Sequence, residues 1–527
     1  MPYAITQSCC SDASCVSVCP VNCIHPTPQE RAFGSTEMLY VDPNACISCG
    51  ACSDACPADA IHPIETLTGP SQQYAAINAA YFEDIPPAVD PAPNFHLWDQ
   101  PEPPRPLPSA RIPLRVAIVG TGPAGMYAAE DLLLHTDAEV TMIDRLSSPG
   151  GLLRYGVAPD HLATRKVADR FTRFHDHPRT RTVLGVEVGR DLTHDDLLRH
   201  HNAVIYAVGS ASDRSLGIPG EDLPGSIPAR RFVGWYNGHP EVPADAVHLP
   251  SGRVVIAGTG NVALDVARIL TSDPSTLRNT EIAPRALSAL ETHENREVVL
   301  FARRGPADAA YSLSELLELQ HLAGVDLVVD DHDPRIRAAV TEAADRLSRG
   351  KAAPAEVAGD AEGWSGRPAA KVANGNAKAA ALRDVAFEAI DWAAGPKPGR
   401  RIVLRFYTTA DELTGDHRVR SVRTADGLEL DTELFIRSVG YRGAAIPGLP
   451  FDDATGVVPN ESGRVTDRPG AYVVGWIKRG PSGGIGTNRT CAKQTVDALL
   501  TDAATGVLPS PPGSRRKFLR LTTKPRR

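Results

Sequence analysis

The sequence has no long apolar stretch. No run approaches the ~18 consecutive apolar residues that cross a bilayer, and the N-terminus has no basic region followed by an apolar one. We therefore expect neither a membrane span nor a signal peptide. Charge of one sign is not in large excess either, because the 527 residues carry a formal charge of −8 and the isoelectric point is near 6.1. Bulk affinity for nucleic acid or for membrane surfaces is therefore not expected.

Cysteine is almost absent after residue 56. Nine of the ten cysteines lie between Cys9 and Cys56, and the other is Cys491. Without secretion, crowded cysteines indicate a metal site rather than a disulfide framework, so we expect a cytoplasmic, reducing location. No Cys-x-x-Cys pair follows residue 56. This argues against a disulfide reductase of the thioredoxin or glutathione type.

The N-terminal cysteines form two similar runs. The second run is Cys46-x2-Cys49-x2-Cys52-x3-Cys56-Pro57, and the first is Cys9-x2-Asp12-x2-Cys15-x3-Cys19-Pro20. Cysteines at three-residue intervals followed by Cys-Pro are typical of bacterial iron–sulfur clusters. Zinc is the alternative, but a structural four-cysteine zinc site usually takes two separated pairs. The spacing therefore favours iron–sulfur clusters.

A glycine-rich turn after a short apolar strand organises the middle of the chain. The strand 116–119 leads into Gly120, Gly122 and Gly125, which fill the G-x-G-x-x-G pattern before a helix. These glycines permit a tight turn, close approach of a pyrophosphate and close helix–strand packing. The next strand ends in Asp144, about 20 residues on, where a ribose-binding carboxylate is expected. The pattern predicts a dinucleotide site.

A second unit of the same kind begins at residue 253. Its first two glycines are Gly258 and Gly260, and Ala263 takes the third position, which is an accepted variant. The following strand ends in Arg303 and Arg304 instead of an acid. Arginine there accommodates a 2′-phosphate, so NADP is predicted. An exposed basic pair with no ligand is the alternative.

The N-terminal runs resemble those of the two-cluster ferredoxins, over residues 1–62. In that family the fourth cysteine of each run binds the other cluster. The resemblance implies one 4Fe–4S cluster on Cys19, Cys46, Cys49 and Cys52, and a second cluster on Cys9, Cys15 and Cys56. The second cluster has three thiolates, as in seven-iron ferredoxins, where it is 3Fe–4S. Asp12 is either a further ligand of a 4Fe–4S form or the cap of a turn, and Cys10 and Cys23 stay unassigned.

Residues 115–505 resemble the adrenodoxin reductase-like ferredoxin–NADP reductases. The motifs that carry the resemblance are Gly-Thr-Gly-Asn-Val-Ala-x-Asp265, Arg-Arg-Gly-Pro306, Ser-Val-Gly-Tyr-Arg-Gly443 and the tail 475–488. The resemblance implies FAD in the first site and NADP(H) in the second. The implied FAD residues are Gly120, Gly122, Ala124, Gly125, Asp144, Leu152, Val188, Trp476, Gly483, Gly484 and Ile485. The implied NADP residues are Arg214, Thr259, Gly260, Asn261, Val262, Arg303, Arg304, Glu315 and Gly483.

The predicted fold is α/β: two Rossmann-like, glutathione reductase-like domains preceded by a small α+β two-cluster ferredoxin domain. The predicted order is a ferredoxin domain (1–62), a Pro-rich linker (63–113), the first part of the FAD domain (114–215), the NADP domain (216–435) with a variable excursion (330–400), the second part of the FAD domain (436–506) and a disordered basic tail (507–527). The whole arrangement resembles bacterial ferredoxin/ferredoxin–NADP reductase fusions.

The expected function is electron transfer from NADPH through FAD to the clusters. The cofactors supply the chemistry, so no catalytic acid is assigned; Trp476 and Gly483 are positioning residues, and a loop-fixing hydrogen bond is expected for Asp160 and His161. The expected acceptor is a separate ferredoxin or a downstream system such as a cytochrome P-450. The alternatives are an electron-input subunit of the glutamate synthase small-subunit kind and a non-catalytic redox sensor.

Overall fold

The computed structural model of the protein describes residues 2–30, 32–34, 36–83, 113–250, 252–293, 295–350, 375–513 and 518. The N-terminal unit, residues 2–83, has two antiparallel strand pairs and short helices. Its strands are Tyr3–Ile5 with Ile61–Pro63, and Ile24–His25 with Tyr40–Val41. Its α-helices are Ser14–Ser17, Ala51–Ala55 and Gln73–Phe82, and its 3₁₀ helices are Ile64–Thr66 and Gly69–Gln72.

Asn78 joins the last helix of this unit to both strand pairs. Its side-chain oxygen accepts hydrogen bonds from the amides of Ile5 (3.1 Å) and Val41 (2.9 Å), and its amide nitrogen donates to the carbonyl of Ile5 (2.8 Å). A buried amide with all these partners stabilises the unit instead of costing desolvation energy. The predicted linker therefore begins too early: residues 63–83 belong to the N-terminal unit, and residues 84–112 lie outside the described part of the chain.

The first nucleotide unit is built on a seven-stranded sheet. The strand order is Asn460–Glu461, Arg464–Val465, Ala471–Val473, Ala203–Tyr206, Arg115–Val119, Glu139–Asp144 and Thr180–Leu184. The first two strands form antiparallel pairs at one edge, and the other five are parallel to one another. Helices cover both faces: Pro123–His135, Leu152–Tyr155, Leu162–Arg165, Val167–His175, His194–Leu198, Trp476–Arg479 and Thr487–Ala504. The central strand alternates between two apolar cores, with Val116 and Ile118 on one side and Ala117 and Val119 on the other.

The second nucleotide unit has a seven-stranded, all-parallel sheet. Its order is Ser226–Pro228, Leu434–Arg437, Gly252–Ala257, Asn295–Ala302, Arg400–Phe406, Val325–Asp330 and Ala386–Glu388. Its helices are Ala229–Tyr236, Asn261–Thr271, Pro274–Leu277, Pro284–Thr292, Leu313–Gln320, Pro334–Gly350 and residues 375–380, with 3₁₀ turns Pro306–Asp308 and Ala381–Asp384. A three-stranded antiparallel sheet, Ala410–Thr414, Ser421–Thr424 and Glu429–Asp431, flanks it, and the ribbon Ser212–Asp213 with Tyr441–Arg442 links the two units.

Two further boundaries differ from the prediction. The segment 330–400 is not only a surface excursion, because the strand Ala386–Glu388 pairs with Val325–Asp330 inside the sheet. Residues 351–374 lie outside the described part.

The tail 507–527 is not wholly disordered. Gly513 accepts a hydrogen bond from Arg115 (2.7 Å), and Phe518 is fully buried against His201. Residues 514–517 and 519–527 lie outside the described part.

Among the described residues, no helix is both long and apolar enough to cross a membrane.

Candidate functional site

The first glycine turn has the shape that a pyrophosphate requires. Gly120 has φ +111°, and a Cβ added there would overlap the backbone carbonyl of Ala207. A Cβ added at Gly125 would overlap the backbone carbonyl of Gly120. Gly122, in contrast, faces open space: a Cβ there would approach only the Cα of Gly151, at 3.8 Å. Gly122 also begins the helix Pro123–His135, whose first amides have no side-chain cap. Free amides at a helix N-terminus beside an open glycine form an anion-binding site.

The other predicted FAD residues surround this turn. The Asp144 carboxylate accepts hydrogen bonds from the amide (2.8 Å) and hydroxyl (2.5 Å) of Thr121, within the turn itself. The carbonyl of Asp144 accepts from the amide of Val186 (2.9 Å), two residues before Val188. Leu152 is exposed at the start of a short helix, and the preceding Gly151 lies directly against Gly122. The structure therefore brings Asp144, Val188 and Leu152 to one edge of the sheet.

The C-terminal motif forms a loop beside the same edge. The Trp476 indole N–H donates to the carbonyl of Ser482 (3.1 Å), and its ring stacks on Tyr441 with centroids 5.6 Å apart. Gly483 and Gly484 are exposed and Ile485 is half-buried. A Cβ added at Gly475 would lie only 2.6 Å from the Cβ of Ala124. This loop therefore packs closely against the first glycine turn. Trp476 is thus not core filling, because its ring is partly exposed.

The second glycine turn repeats the geometry of the first. Gly258 has φ +117° and lies against the carbonyl of Ser438, whereas a Cβ at Gly260 would have nothing within 4 Å. Gly260 begins the helix Asn261–Thr271, again without a side-chain cap. Asn261 accepts a hydrogen bond from the amide of Ser312 (2.8 Å), so residues 310–312 lie over the turn. The remaining predicted NADP residues here, Thr259 and Val262, are buried and half-buried, respectively.

Three predicted cationic NADP residues are exposed. Arg303 and Arg304 follow the strand Asn295–Ala302, next to the strand that carries the second glycine turn. Arg214 lies in the connection between the two units, and its amide donates to the carbonyl of Gly440 (3.1 Å). Exposed guanidinium groups near a phosphate cradle are free to bind a planar anionic group bidentately.

Glu315 lies in a buried ionic cluster that the sequence did not predict. One guanidinium, Arg268, bonds Asp160 (2.8 and 3.0 Å), Asp265 (2.8 Å), Glu318 (3.1 Å) and Glu315 (3.3 Å). Burial, reinforced by Asp265, raises the pKa of Glu315 to about 8. Arg268 therefore connects the loop at Asp160, in the first unit, to two helices of the second.

His161 has the loop-fixing contact that we expected. Its Nε2 lies 3.2 Å from the Glu318 carboxylate. Burial opposes the charged imidazole, but the bond to Glu318 outweighs it and raises the pKa of His161 to about 9. His161, Glu315 and Glu318 could together hold a cation, but Arg268 already supplies the positive charge.

The cysteines gather into the two predicted groups. Burial raises the pKa of Cys9 to about 11, and burial together with Cys9, Asp12 and Cys56 raises the pKa of Cys15 well above its usual value. In the second group, burial together with Cys19 and Cys46 raises the pKa of Cys52 to about 12. Buried, mutually repelling thiols do not ionise by themselves, whereas iron bound to them would deprotonate them. The residues present therefore fit metal clusters.

The two unassigned cysteines lie beside these groups. Cys23 is buried with its sulfur 3.4 Å from that of Cys19. The carbonyl of Cys10 accepts a hydrogen bond from the amide of Gly486 (2.7 Å), in the C-terminal loop of the first nucleotide unit. The cysteine unit is therefore docked directly on the loop that carries Trp476 and Ile485.

Comparison with known proteins agrees with this arrangement. Residues 114–300 match the family described as pyridine nucleotide-disulphide oxidoreductase, and residues 39–62 match the 4Fe-4S binding domain. A protein of Mycobacterium tuberculosis named probable ferredoxin/ferredoxin–NADP reductase is 46% identical over 97% of this chain and 85% of its own length. The chain belongs to the ferredoxin/ferredoxin–NADP reductase family. The relative from Mycobacterium leprae with the same name is 43% identical over 99% of this chain and 90% of its own length.

The reductase part of this family also has a solved relative. The structure titled as Mycobacterium tuberculosis FprA in complex with NADPH superposes with a TM-score of 0.66 and 39% identity, over 78% of this chain and 90% of that one. The ferredoxin/ferredoxin–NADP reductase resemblance, the α/β fold and the oxidoreductase class predicted from the sequence are confirmed. The chain matches a disulphide oxidoreductase family although it has no Cys-x-x-Cys pair after residue 56.

Proposed function

We propose that the protein transfers electrons from NADPH, through FAD, to iron–sulfur clusters of its own N-terminal unit and from there to an outside acceptor. The observation that carries the proposal is the direct contact between the cysteine unit and the predicted flavin loop. Cys10 accepts from the amide of Gly486, and Cys9, Cys10 and Cys56 share an apolar core with Ile485. Electron carriers exchange electrons only over short distances, and this contact holds the cysteine unit next to the predicted flavin site.

The residues that would hold the cofactors are those predicted above. FAD would lie on the turn 120–125, with Asp144 toward its ribose, and NADP(H) would lie on the turn 258–262 near Arg303 and Arg304. When bound, FAD accepts a hydride equivalent and iron–sulfur clusters carry single electrons, so the chain itself needs no acid or base for the transfer. The contribution of Trp476, Tyr441 and the loop 483–485 is to orient the nucleotides and exclude water.

The two cysteine groups would have different roles. The group of Cys9, Cys15 and Cys56 adjoins the flavin loop, and with three thiolates it favours a 3Fe–4S cluster. The group of Cys19, Cys46, Cys49 and Cys52 would hold 4Fe–4S. Cys49 and its neighbour Ile47 are exposed, so we propose that the outside acceptor approaches there. A separate ferredoxin or a cytochrome P-450 system would be that acceptor, and a cytoplasmic location stays a prediction of the sequence.

The cofactor content of the purified protein tests this assignment. We expect denaturation to release FAD and not FMN, because the first turn is built for a pyrophosphate next to a ribose carboxylate. We expect about seven irons per chain and an electron-paramagnetic signal of an oxidised three-iron cluster, because seven of the eight ligand positions are cysteine and the eighth is Asp12. FMN alone, or zinc in place of iron, would contradict the proposal. Eight irons without the three-iron signal would contradict the cluster types only.

A further inference from the structure

We propose that Asp12 is a positioning residue: it fastens the cysteine unit to the flavin-binding unit through Arg170 and is not an iron ligand. Asp12 stands where the second run has Cys49, so the sequence left two roles open, iron ligand or turn cap. The inference deepens the proposed function, because the contact that Asp12 makes determines how the group of Cys9, Cys15 and Cys56 sits on the flavin loop.

Both carboxylate oxygens of Asp12 are occupied by protein donors. One oxygen accepts from the amide of Ser14 (3.1 Å), and the other accepts from the Ser14 hydroxyl (2.5 Å) and from Arg170 Nη1 (3.0 Å). The Asp12 side chain is only 5% exposed and that of Arg170 is 18% exposed. A buried carboxylate that bonds a guanidinium and two further donors has its charge compensated without iron.

Arg170 links Asp12 to two helices of the first nucleotide unit. It lies on the helix Val167–His175, and its Nη2 donates to the buried carboxylate of Glu130 (2.8 Å). Glu130 belongs to the helix Pro123–His135, which begins at the first glycine turn. A continuous set of charge-assisted bonds therefore runs from the cysteine loop to the helix that would hold the FAD pyrophosphate.

A second arginine also holds this loop. Arg489 Nη1 donates to the carbonyl of Asp12 (3.1 Å) and to the Ser14 hydroxyl (3.3 Å). Arg489 is three residues after Gly486, whose amide bonds the carbonyl of Cys10. The loop 10–14 is thus fixed by two arginines and one backbone bond, all from elements of the flavin-binding unit.

Two other acids of the cysteine unit, Asp59 and Glu37, also contact the nucleotide units. Asp59 pairs with Lys166 (3.3 Å), where both side chains are more than half exposed, and such pairs contribute little. Glu37 accepts from the amide of Leu313 (2.7 Å) and pairs with Lys378 (3.1 Å), which attaches it to the second nucleotide unit. Asp12 is therefore the acid that aligns the flavin-side cysteine group, whereas Glu37 anchors the unit elsewhere.

Arg170→Gln tests the proposal in the full-length holoprotein. We expect amide hydrogen exchange of the segments 10–14 and 484–490 to quicken by about tenfold or more, because their opening no longer breaks a buried ion pair. The iron and FAD contents should stay at the wild-type values. Flavin reduction by NADPH should keep its rate, while the later bleaching of the iron–sulfur absorbance slows. Arg170→Lys, which keeps the charge, should restore much of the protection.

Two controls make the result decisive. Thr172→Ala changes an exposed residue on the same helix, and it should change none of these quantities. Asp12→Asn keeps the shape of Asp12 but removes its charge, and it should reproduce Arg170→Gln with unchanged iron. Loss of iron in Asp12→Asn with intact protection would overturn the proposal in favour of an iron ligand. Unchanged protection in both variants would overturn it as well. Hydrogen exchange is measured without NADPH, so it tests the contact independently of the reaction. If the variants lose protection as predicted but the wild-type protein does not oxidise NADPH, only the proposed function is refuted.

Discussion

Replacing Arg303 and Arg304 together by alanine is expected to raise the KM for NADPH by about a hundredfold or more, with little change in the KM for NADH. A charge-assisted hydrogen bond contributes roughly 1.5–3 kcal/mol, and 1.4 kcal/mol is a factor of ten in affinity. Both side chains are exposed beside the second glycine turn, so their loss removes charge without opening a core. Steady-state reduction of ferricyanide with each nucleotide measures the effect.

Arg285→Ala is the matched control for this double variant. Arg285 is also an exposed arginine of the second nucleotide unit, on the helix Pro284–Thr292, and its replacement should leave both KM values unchanged. If the double variant lost NADPH and NADH affinity equally, Arg303 and Arg304 would support the structure and would not recognise the 2′-phosphate.

Gly486→Ala is expected to separate flavin reduction from cluster reduction. A Cβ at Gly486 would overlap the backbone of Cys10, Ser11 and Asp12, which cannot move aside as a flexible side chain can. The backbone of Gly486 is helical, with φ −69°, so alanine is otherwise acceptable there. Displacement of a docked group by about 1 Å can cost on the order of a hundredfold in rate. Stopped-flow absorbance should show unchanged flavin reduction and cluster reduction slowed by about that factor.

Thr490→Ala provides the comparison for Gly486→Ala. Thr490 is exposed on the same helix, Thr487–Ala504, and its replacement should leave both phases at the wild-type rate. Normal cluster reduction in Gly486→Ala would mean that electrons do not pass across the contact between residues 10–12 and 486.

The parts of the site that the sequence predicted are those made by short contiguous segments. A glycine turn between a strand and a helix determines its own geometry, and both turns have the predicted shape around Gly122 and Gly260. The resemblance to two-cluster ferredoxins likewise indicated which sulfurs gather together. His161 could be assigned a loop-fixing bond because it follows a glycine-rich loop, although its partner Glu318 was not foreseen.

The parts that the sequence did not predict depend on residues far apart in the chain. Arg170 lies 158 positions from Asp12, and no local pattern marks either residue as half of an ion pair. Arg268 lies on the helix that follows the second glycine turn. Four carboxylates surround it, but they come together only when the chain is folded. A charged residue on the otherwise apolar face of a helix was the one available signal. The proline-rich composition of residues 63–113 predicts a linker, and it gives no sign that Asn78 is buried between the strand pairs.

The central claim is that electrons from NADPH pass through the flavin into the docked cysteine unit. A stopped-flow trace of NADPH added to the oxidised holoprotein, followed at flavin and at iron–sulfur wavelengths, tests it most directly. We expect two ordered phases: bleaching of the flavin first, then bleaching of the iron–sulfur absorbance within the same molecule, at a rate independent of protein concentration. Iron–sulfur bleaching that is absent, or that speeds up in proportion to protein concentration, would contradict it.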